Sequence, residues 1–533
     1  MRFLSYLICA ALLVNAGQAA SKEVSYEEIA NPSKEPQNWL TYSGDYRGWR
    51  HSVLTQLNAT NVKQLGLQWV FNDGQIGKLE ATPLVIDGVM YVALLNNTVF
   101  ALDARTGREI WAYRRPEVLR SPEHINGPIS RGVAALGGRI YLATLDACVV
   151  ALDAKTGAKV WETKAADPNH GYYFTLAPLA VKDKIVVGVS GGEYGIRGFV
   201  DAYDAATGKL SWRFYTIPGP GEPGHESWKG DTWKTGGGPA WMTGTYDPDL
   251  KLIYWGVGNP GPNFYGKDRD GDNLYSNCVL ALDADTGKLR WYFQFTPHDV
   301  DDYDATNVPV LLDANVAGQK RKLLVEANRN GFYYVLDRED GKFLLAKPFV
   351  HVTWAKGIDP NGRPIVSDSP LLVGSERHVC PGLFGGANWP SPSYSPETGL
   401  FYFTSRDECL IHLPKATQYM AGELFWGGDS ESIIPDDRAR GAVVALDPLS
   451  GELKWEFPHF SESWAGVLTT QAGLAFSGND EGYFVALNAG TGKVLWRSAL
   501  GGPITASPIT YSVQGKQYVA VASRSGVFAF SIP

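Results

Sequence analysis

One phrase recurs along this chain and constrains its fold more than any other feature. It reads ALDARTGREIW ending at Trp111 and ALDAKTGAKVW ending at Trp161. It returns as AYDAATGKLSW (Trp212), ALDADTGKLRW (Trp291), ALDPLSGELKW (Trp455) and ALNAGTGKVLW (Trp496). Each copy is an apolar strand end, a turn built on Asp or Asn with Thr/Ser and Gly, and a second strand closing on Trp. The Asp side chain can accept a hydrogen bond from backbone two residues on, and Gly takes up a positive φ without steric cost. The Trp offers a large apolar face and one N–H that needs a partner. A four-stranded sheet of this kind cannot bury both faces alone. Repeats of it stack into a closed ring, the β-propeller.

Successive repeat tryptophans lie 50, 51, 79, 164 and 41 positions apart. The gap of 164 is too wide for one blade. Within it, Val335–Gly341 (VLDREDG) is a degraded copy without the Trp, and SPSYSPETGLFYF begins a further strand–turn–strand at Ser391. Six clear copies and these two predict an all-β, eight-bladed propeller. The terminal stretch QYVAVASRSGVFAFSIP, from Gln517, alternates like a strand. It is expected to pair with a strand near Trp69 and remove the open edges of the ring.

With 17 Trp, 59 Gly and 20% charged residues, the composition is that of a turn-rich aromatic globule, and one propeller over residues 21–533 absorbs the length. The net charge of −8 argues against a nucleic-acid partner. Residues 1–20 read as a secretory signal: Arg2, an apolar core from Phe3 to Val14, and the small-residue exit Gly17-Gln18-Ala19-Ala20. That core is too short to span a bilayer, Cys9 follows Ile8 rather than a small residue, and no membrane anchor is expected. Export to the periplasm follows. Cys148, Cys278, Cys380 and Cys409 remain, and an oxidising compartment permits three complete pairings. No CxxC or CxxCH is present, so neither attached haem nor a thiolate zinc site is expected.

The segments between the repeats carry more. GEYGIRG (192–198), WGVGNPGP around Asn259, TPHD (296–299), NRNGFYYVLDR from Asn328, CPGLFGGANWPSPSYSP from Cys380 and GGPITASPITY from Gly501 fall in order along the chain. Together they resemble the pyrroloquinoline quinone (PQQ)-dependent alcohol dehydrogenases of the methanol/ethanol type. The resemblance implies eight W-shaped blades with PQQ and a metal ion in a funnel on the axis. It also implies a Cys380–Cys409 disulfide, which leaves Cys148 and Cys278 free.

PQQ is a flat ortho-quinone with three carboxylates. It calls for cations and N–H donors at its rim, a flat wall, and a metal near its quinone oxygen. By the resemblance Trp241, 18 residues before Asn259, is the stacking wall. Arg131 binds a carboxylate, for which a guanidinium fork is suited. Glu80, Thr175, Ser190, Gly191 and Gly192 hydrogen-bond the rim, and Asn388 and Trp464 lie near the cofactor. Arg329 reaches the quinone oxygens. Glu193, Asn259 and Asp302 match the metal ligands, a hard oxygen set, with Asp302 as general base. Asp304 stands where the lanthanide-dependent subfamily has an additional carboxylate ligand, so a lanthanide(III) is expected ahead of Ca²⁺.

The family's adjacent cysteine pair is replaced by Ile125 and Asn126. The expected function is oxidation of a small alcohol to an aldehyde by a periplasmic quinoprotein, with a soluble c-type cytochrome as electron acceptor. The reading leaves room for a homodimer. A PQQ dehydrogenase for a bulkier sugar, polyol or aldehyde, and a non-catalytic propeller scaffold, are the alternatives.

Overall fold

The computed structural model describes residues 22–116, 127–316, 318–367, 371–373, 376–433, 440–524 and 526–533. The expected leader (1–20) and the replaced cysteine positions, Ile125 and Asn126, lie outside them. Eight antiparallel four-stranded units follow one another as blades, the seventh extended by the short parallel strand His51–Ser52. The first is Leu84–Ile86, Val89–Ala93, Val99–Asp103 and Glu109–Tyr113. The fifth, Val310–Val316 to Phe343–Pro348, contains the degraded copy, and the sixth opens with Ser393–Ser395, the strand predicted from Ser391. The eighth is completed by Gly66–Phe71 pairing antiparallel with Gly526–Ser531, so the two ends of the chain share one blade, as the alternation from Gln517 predicts.

The repeat phrase is a docking device. In the four turns at Asp103, Asp153, Asp204 and Asp283 the carboxylate accepts from the backbone and hydroxyl of the Thr three residues on, as Asp103 does from Thr106 (2.9 and 3.0 Å). The outer-strand Trp of one blade lies over the turn glycine of the next. A Cβ on Gly107 would stand 2.6 Å from the Trp69 ring, and one on Gly157 2.5 Å from that of Trp111. Both glycines have φ +71, so the position asks for no side chain and for the left-handed backbone that glycine tolerates. The indole N–H then donates to a carbonyl in that next turn: Trp69 to Ala104, Trp111 to Ala154, Trp161 to Ala205, Trp212 to Ala284, Trp291 to Arg338 and Trp455 to Ala489, all within 2.9–3.2 Å. The degraded copy therefore keeps the receiving half of the device. Its missing Trp is replaced by Tyr333, whose hydroxyl donates to Pro448 (2.8 Å).

The largest addition to the pattern is a whole further sheet. Between the second and third strands of the sixth blade the chain leaves to form Cys409–Pro414 and Gly428–Ile433. These join Leu371–Val373 and Glu376–Val379 in an extra four-stranded sheet. The Cys380–Cys409 disulfide closes one end of it, and Cys148 and Cys278 are free and buried.

Candidate functional site

In an antiparallel blade the start of the first strand and the end of the second lie at the same edge. The predicted residues fall on those two loop families. Glu80, Arg131, Thr175, Trp241, Asp302, Asp304, Asn388 and Trp464 stand in the segments leading into first strands. Ser190 to Glu193, Asn259 and Arg329 stand just after second strands. The lead-ins are laced from blade to blade by backbone bonds: Thr82 N–H to the Arg131 carbonyl (3.0 Å) and Arg131 N–H to that of Thr175 (2.9 Å). The result is a cavity of about 490 Å³.

Glu80, Arg131, Thr175, Ser190, Gly191, Glu193, Trp241, Asp302, Asp304, Arg329, Asn388 and Trp464 line it. Asn259 and Gly192 do not. Asn259 sits behind Asp304, where its side-chain Nδ2 donates to the Pro260 carbonyl (3.3 Å) and its backbone N–H to Asp304 Oδ1 (2.8 Å). A side chain at Gly192 would run into Pro239, 2.7 Å away. The lining also contains residues that the sequence reading missed, among them Lys78, Asn263, Phe264, Phe384, Trp389 and Trp426. Position offered a hint for two of them, since Lys78 precedes Glu80 by two and Asn263 follows Asn259 by four.

One end of the cavity is cationic. Arg131 pairs with the fully buried Glu80 (2.6 Å), donates to Thr175 Oγ1 (2.6 Å), and lies 4.7 and 4.9 Å from the ring centroids of Trp241 and Trp389. Lys78 pairs with the other oxygen of Glu80 (2.8 Å). Thr175 Oγ1 and Ser190 Oγ are 3.2 Å apart. One carboxylate thus faces two cations, leaving a surplus positive charge with hydroxyl donors beside it.

The other end is acidic. Arg329 Nη1 donates to Asp304 Oδ2 (2.6 Å) and Nη2 to Asp302 Oδ2 (3.1 Å), while Leu383 O accepts from Arg329 Nε and Nη2. Asp304 Oδ2 also accepts from the Trp241 indole (3.1 Å), and Oδ1 from the Asn259 N–H (2.8 Å). Asn263 donates to Asp302 Oδ1 (2.9 Å). Asp304 can approach the chain so closely because Gly258 has no side chain: a Cβ there would stand 2.1 Å from Asp304 Oδ1. Asp302 itself has φ +63, a left-handed backbone that costs a non-glycine residue about 1–3 kcal/mol and persists only where the surroundings dictate it.

Burial pushes the Glu193 carboxyl up to about 7, against its own backbone hydrogen bond and with Asp304 adding to the rise. Burial likewise drives Asp302 well above the ordinary carboxylate range; Arg329 opposes this, and Asp304 and Glu193 reinforce it. Among the described residues no three acidic, imidazole or thiol side chains are drawn to a single point. Three carboxylates, Asp304 buried and Glu193 and Asp302 half-buried, nonetheless share this wall with one guanidinium, a donor set short of positive charge. A hard cation fits it. The opposite end, with its flat Trp241 wall and its surplus cation, fits a planar polycarboxylate.

Comparison with known proteins accords with this chemistry. The profile described as "Glucose/ethanol/alcohol dehydrogenase, beta-propeller domain" matches residues 39–351, and one described as "Outer membrane protein assembly factor BamB" matches residues 439–532. The chain is 40% identical to the quinoprotein alcohol dehydrogenase PedH of Pseudomonas putida, over 98% of this chain and 91% of that protein. It is 38% identical to a lanthanide-dependent methanol dehydrogenase of Methylacidiphilum fumariolicum, over 94% and 87%. The structure superposes on a europium-containing methanol dehydrogenase with a TM-score of 0.90 at 38% identity, covering 94% of this chain and 92% of that one. It also superposes on the quinohemoprotein alcohol dehydrogenase ADHIIG of Pseudomonas putida with a TM-score of 0.89 at 35% identity, over 96% and 82%.

Proposed function

The chain belongs to the PQQ-dependent alcohol dehydrogenase family, and from that premise we propose how this quinoprotein works and where. The observation that carries the proposal is the polarity of the cavity: Arg131 and Lys78 around Glu80 at one end, three carboxylates at the other, and Trp241 between them. Arg131, Thr175, Ser190 and Lys78 would hold the carboxylates of PQQ, Trp241 its face, and Glu193, Asp302 and Asp304, with the Asn259 side-chain oxygen, its metal. When bound, PQQ supplies a quinone that takes up a hydride equivalent, and the metal supplies Lewis-acid polarisation of that quinone.

The chain's own residues do the rest. Asp302 takes the alcohol's hydroxyl proton at Oδ1, the oxygen that carries only the neutral Asn263 donor; Oδ2 is already committed to the Arg329 guanidinium. Burial makes this carboxylate a stronger base than one in water. Arg329, anchored by the Leu383 carbonyl, fixes Asp302 and Asp304 in relation to each other. Phe264, Leu383, Phe384 and Trp426 make the neighbouring wall apolar. That wall favours an alcohol with an apolar chain over a sugar or polyol.

Asp304 uses three of the roughly four lone-pair positions of a carboxylate. One remains for a metal, which adds a third anionic ligand and favours a trivalent ion; relatives described as lanthanide-dependent or europium-containing support this. Residues 1–20 would export the chain to the periplasm, where a soluble c-type cytochrome would collect the electrons one at a time. No helix among the described residues is long and apolar enough to cross a membrane. A non-catalytic scaffold would have no use for so much buried unlike charge.

The test is reconstitution of the purified protein with PQQ and La³⁺ or Ca²⁺, followed by a dye-linked screen of alcohols, sugars and aldehydes. Alcohol oxidation that depends on both additions, without NAD, is expected. Absence of PQQ uptake with any metal would refute the assignment of the site.

A further inference from the structure

We propose that Asp301 is a positioning residue for Asp302, acting through Arg377 and His412 of the extra sheet; the proposal rests on Asp302 being the general base. Neighbouring residues on this loop face opposite ways. Asp302 lines the cavity, whereas Asp301 is buried on the far side, 3% exposed. There its carboxylate is fully engaged. Oδ1 accepts from Arg377 Nε (2.6 Å) and meets His412 Nε2 (3.0 Å), and Oδ2 accepts from Arg377 Nη2 (2.6 Å). The two-pronged guanidinium contact fixes the plane of the carboxylate as well as its distance.

The partners are themselves rigid. Arg377 lies on Glu376–Val379 and His412 on Cys409–Pro414, and the two residues are direct cross-strand neighbours. The Cys380–Cys409 disulfide ties these strands together three positions from each of the two residues. The loop has further ties on either side of the base. Asp299 accepts from the N–H groups of Asp301 (2.9 Å) and Tyr303 (2.8 Å), and the Tyr303 hydroxyl donates to the Pro381 carbonyl (2.6 Å). Asp302 is thus held at φ +63 by contacts that its own side chain does not make.

A buried ion pair is a poor way to add stability compared with apolar packing of the same volume, but it can fix one orientation. Nothing in the cavity requires Asp301, Arg377 or His412 for binding, since none of them lines it. Orientation of the base is the task left for them. Freed of the Arg377 fork, the loop can relax Asp302 toward ordinary backbone and move its carboxylate off the alcohol. A misplacement of about 1 Å costs on the order of 100-fold in rate.

The experiment uses the full-length protein reconstituted with PQQ and La³⁺. Asp301→Asn and Arg377→Met should lower kcat by about 10- to 100-fold, with KM for the alcohol nearly unchanged. The Kd for PQQ, read from quenching of tryptophan fluorescence, should also stay near that of the parent. The deuterium isotope effect on kcat with an α-deuterated alcohol should rise, because the chemical step, in which the α-hydride leaves as the hydroxyl proton passes to Asp302, becomes limiting. Arg377→Lys keeps the charge without the fork and should restore only part of the rate. Parental kcat in folded Asp301→Asn and Arg377→Met overturns the proposal, as does a loss that merely follows weaker PQQ binding or a lower melting temperature. If Asp301→Asn does not fold, Arg377→Lys and His412→Gln decide: lowered kcat at unchanged PQQ affinity supports the clamp, and parental kcat in both refutes it. Turnover surviving in Asp302→Asn would instead fell the base assignment, and the clamp with it, a result read separately from the others.

Discussion

Gly258→Ala tests the acidic end of the cavity without touching any of its charged groups. The added Cβ would lie 2.1 Å from Asp304 Oδ1 and 2.8 Å from Pro239 Cγ. To move from 2.1 Å to the 3.4 Å of ordinary contact, the carboxylate must retreat about 1.3 Å. That breaks its 2.8 Å hydrogen bond from the Asn259 N–H and pulls it away from the Trp241 indole and Arg329. A hydrogen bond to a charged group is worth about 1.5–3 kcal/mol, equivalent to about 10- to 150-fold in an equilibrium constant. If Asp304 is a metal ligand, lanthanide affinity should fall by at least that factor. Tb³⁺ is a suitable probe, because the neighbouring Trp241 can sensitise its luminescence. Titration of parent and variant, each loaded with PQQ, gives the two affinities, and melting curves confirm that both are folded. PQQ affinity itself should change little, since Arg131 and Glu80 sit at the other end. A Gly258→Ala protein that binds Tb³⁺ like the parent would show that the position of Asp304 is irrelevant to the metal.

Three other outcomes follow. Asp304→Ala should remove lanthanide-supported turnover more completely than any Ca²⁺-supported turnover, and equal activity of variant and parent with La³⁺ would count against the assignment. Asp302→Asn should abolish turnover with either ion while PQQ still binds. Glu326, buried in Gln319–Ala327, has its carboxyl pushed up by burial from 4.5 to about 8, opposed only by the Asn328 amide at 2.8 Å. The folded form therefore holds a proton that the unfolded chain has released, so stability should fall as pH rises between about 4.5 and 8, on the order of 1.4 kcal/mol per pH unit. Glu326→Gln should flatten that slope and melt higher than the parent at about pH 9; parallel slopes for the two proteins would refute the reasoning.

The blades were legible because their information is local. An Asp turn, a glycine and a tryptophan lie within one short phrase, and even the degraded fifth copy keeps its receiving turn. The compensation by Tyr333 was not legible, since its role exists only against Pro448 in the next blade. The extra sheet was missed for a similar reason: its strands are short, and two of them interrupt the sixth blade without a repeat of their own. At the site, residues on the two loop families could be located by their spacing, and twelve of the fourteen line the cavity. Asn259 stands just behind the wall and holds Asp304 through its backbone N–H. Lys78, Asn263 and Trp389 are single residues in irregular loops, and what makes them part of the site is the set of neighbours that other blades bring.

The shared eighth blade orders events in time. Gly66–Phe71 is made early and Gly526–Ser531 last, yet each is the other's ladder partner, and the seventh blade's Trp496 reaches back to the Leu65 carbonyl (3.1 Å). An emerging polypeptide can form blades one to seven as neighbours, but it cannot join head to tail until its final strand is available. Until then Gly66–Phe71 exposes an unpaired edge and the blades flanking the gap an uncovered apolar face, the kind of surface on which chains misassociate. The cavity draws residues from blades far apart in the ring, so it too is finished only at that closing step. Moving the chain ends to another inter-blade loop would leave every native contact in place while changing which seam closes last, and with it the longest-lived exposed edge.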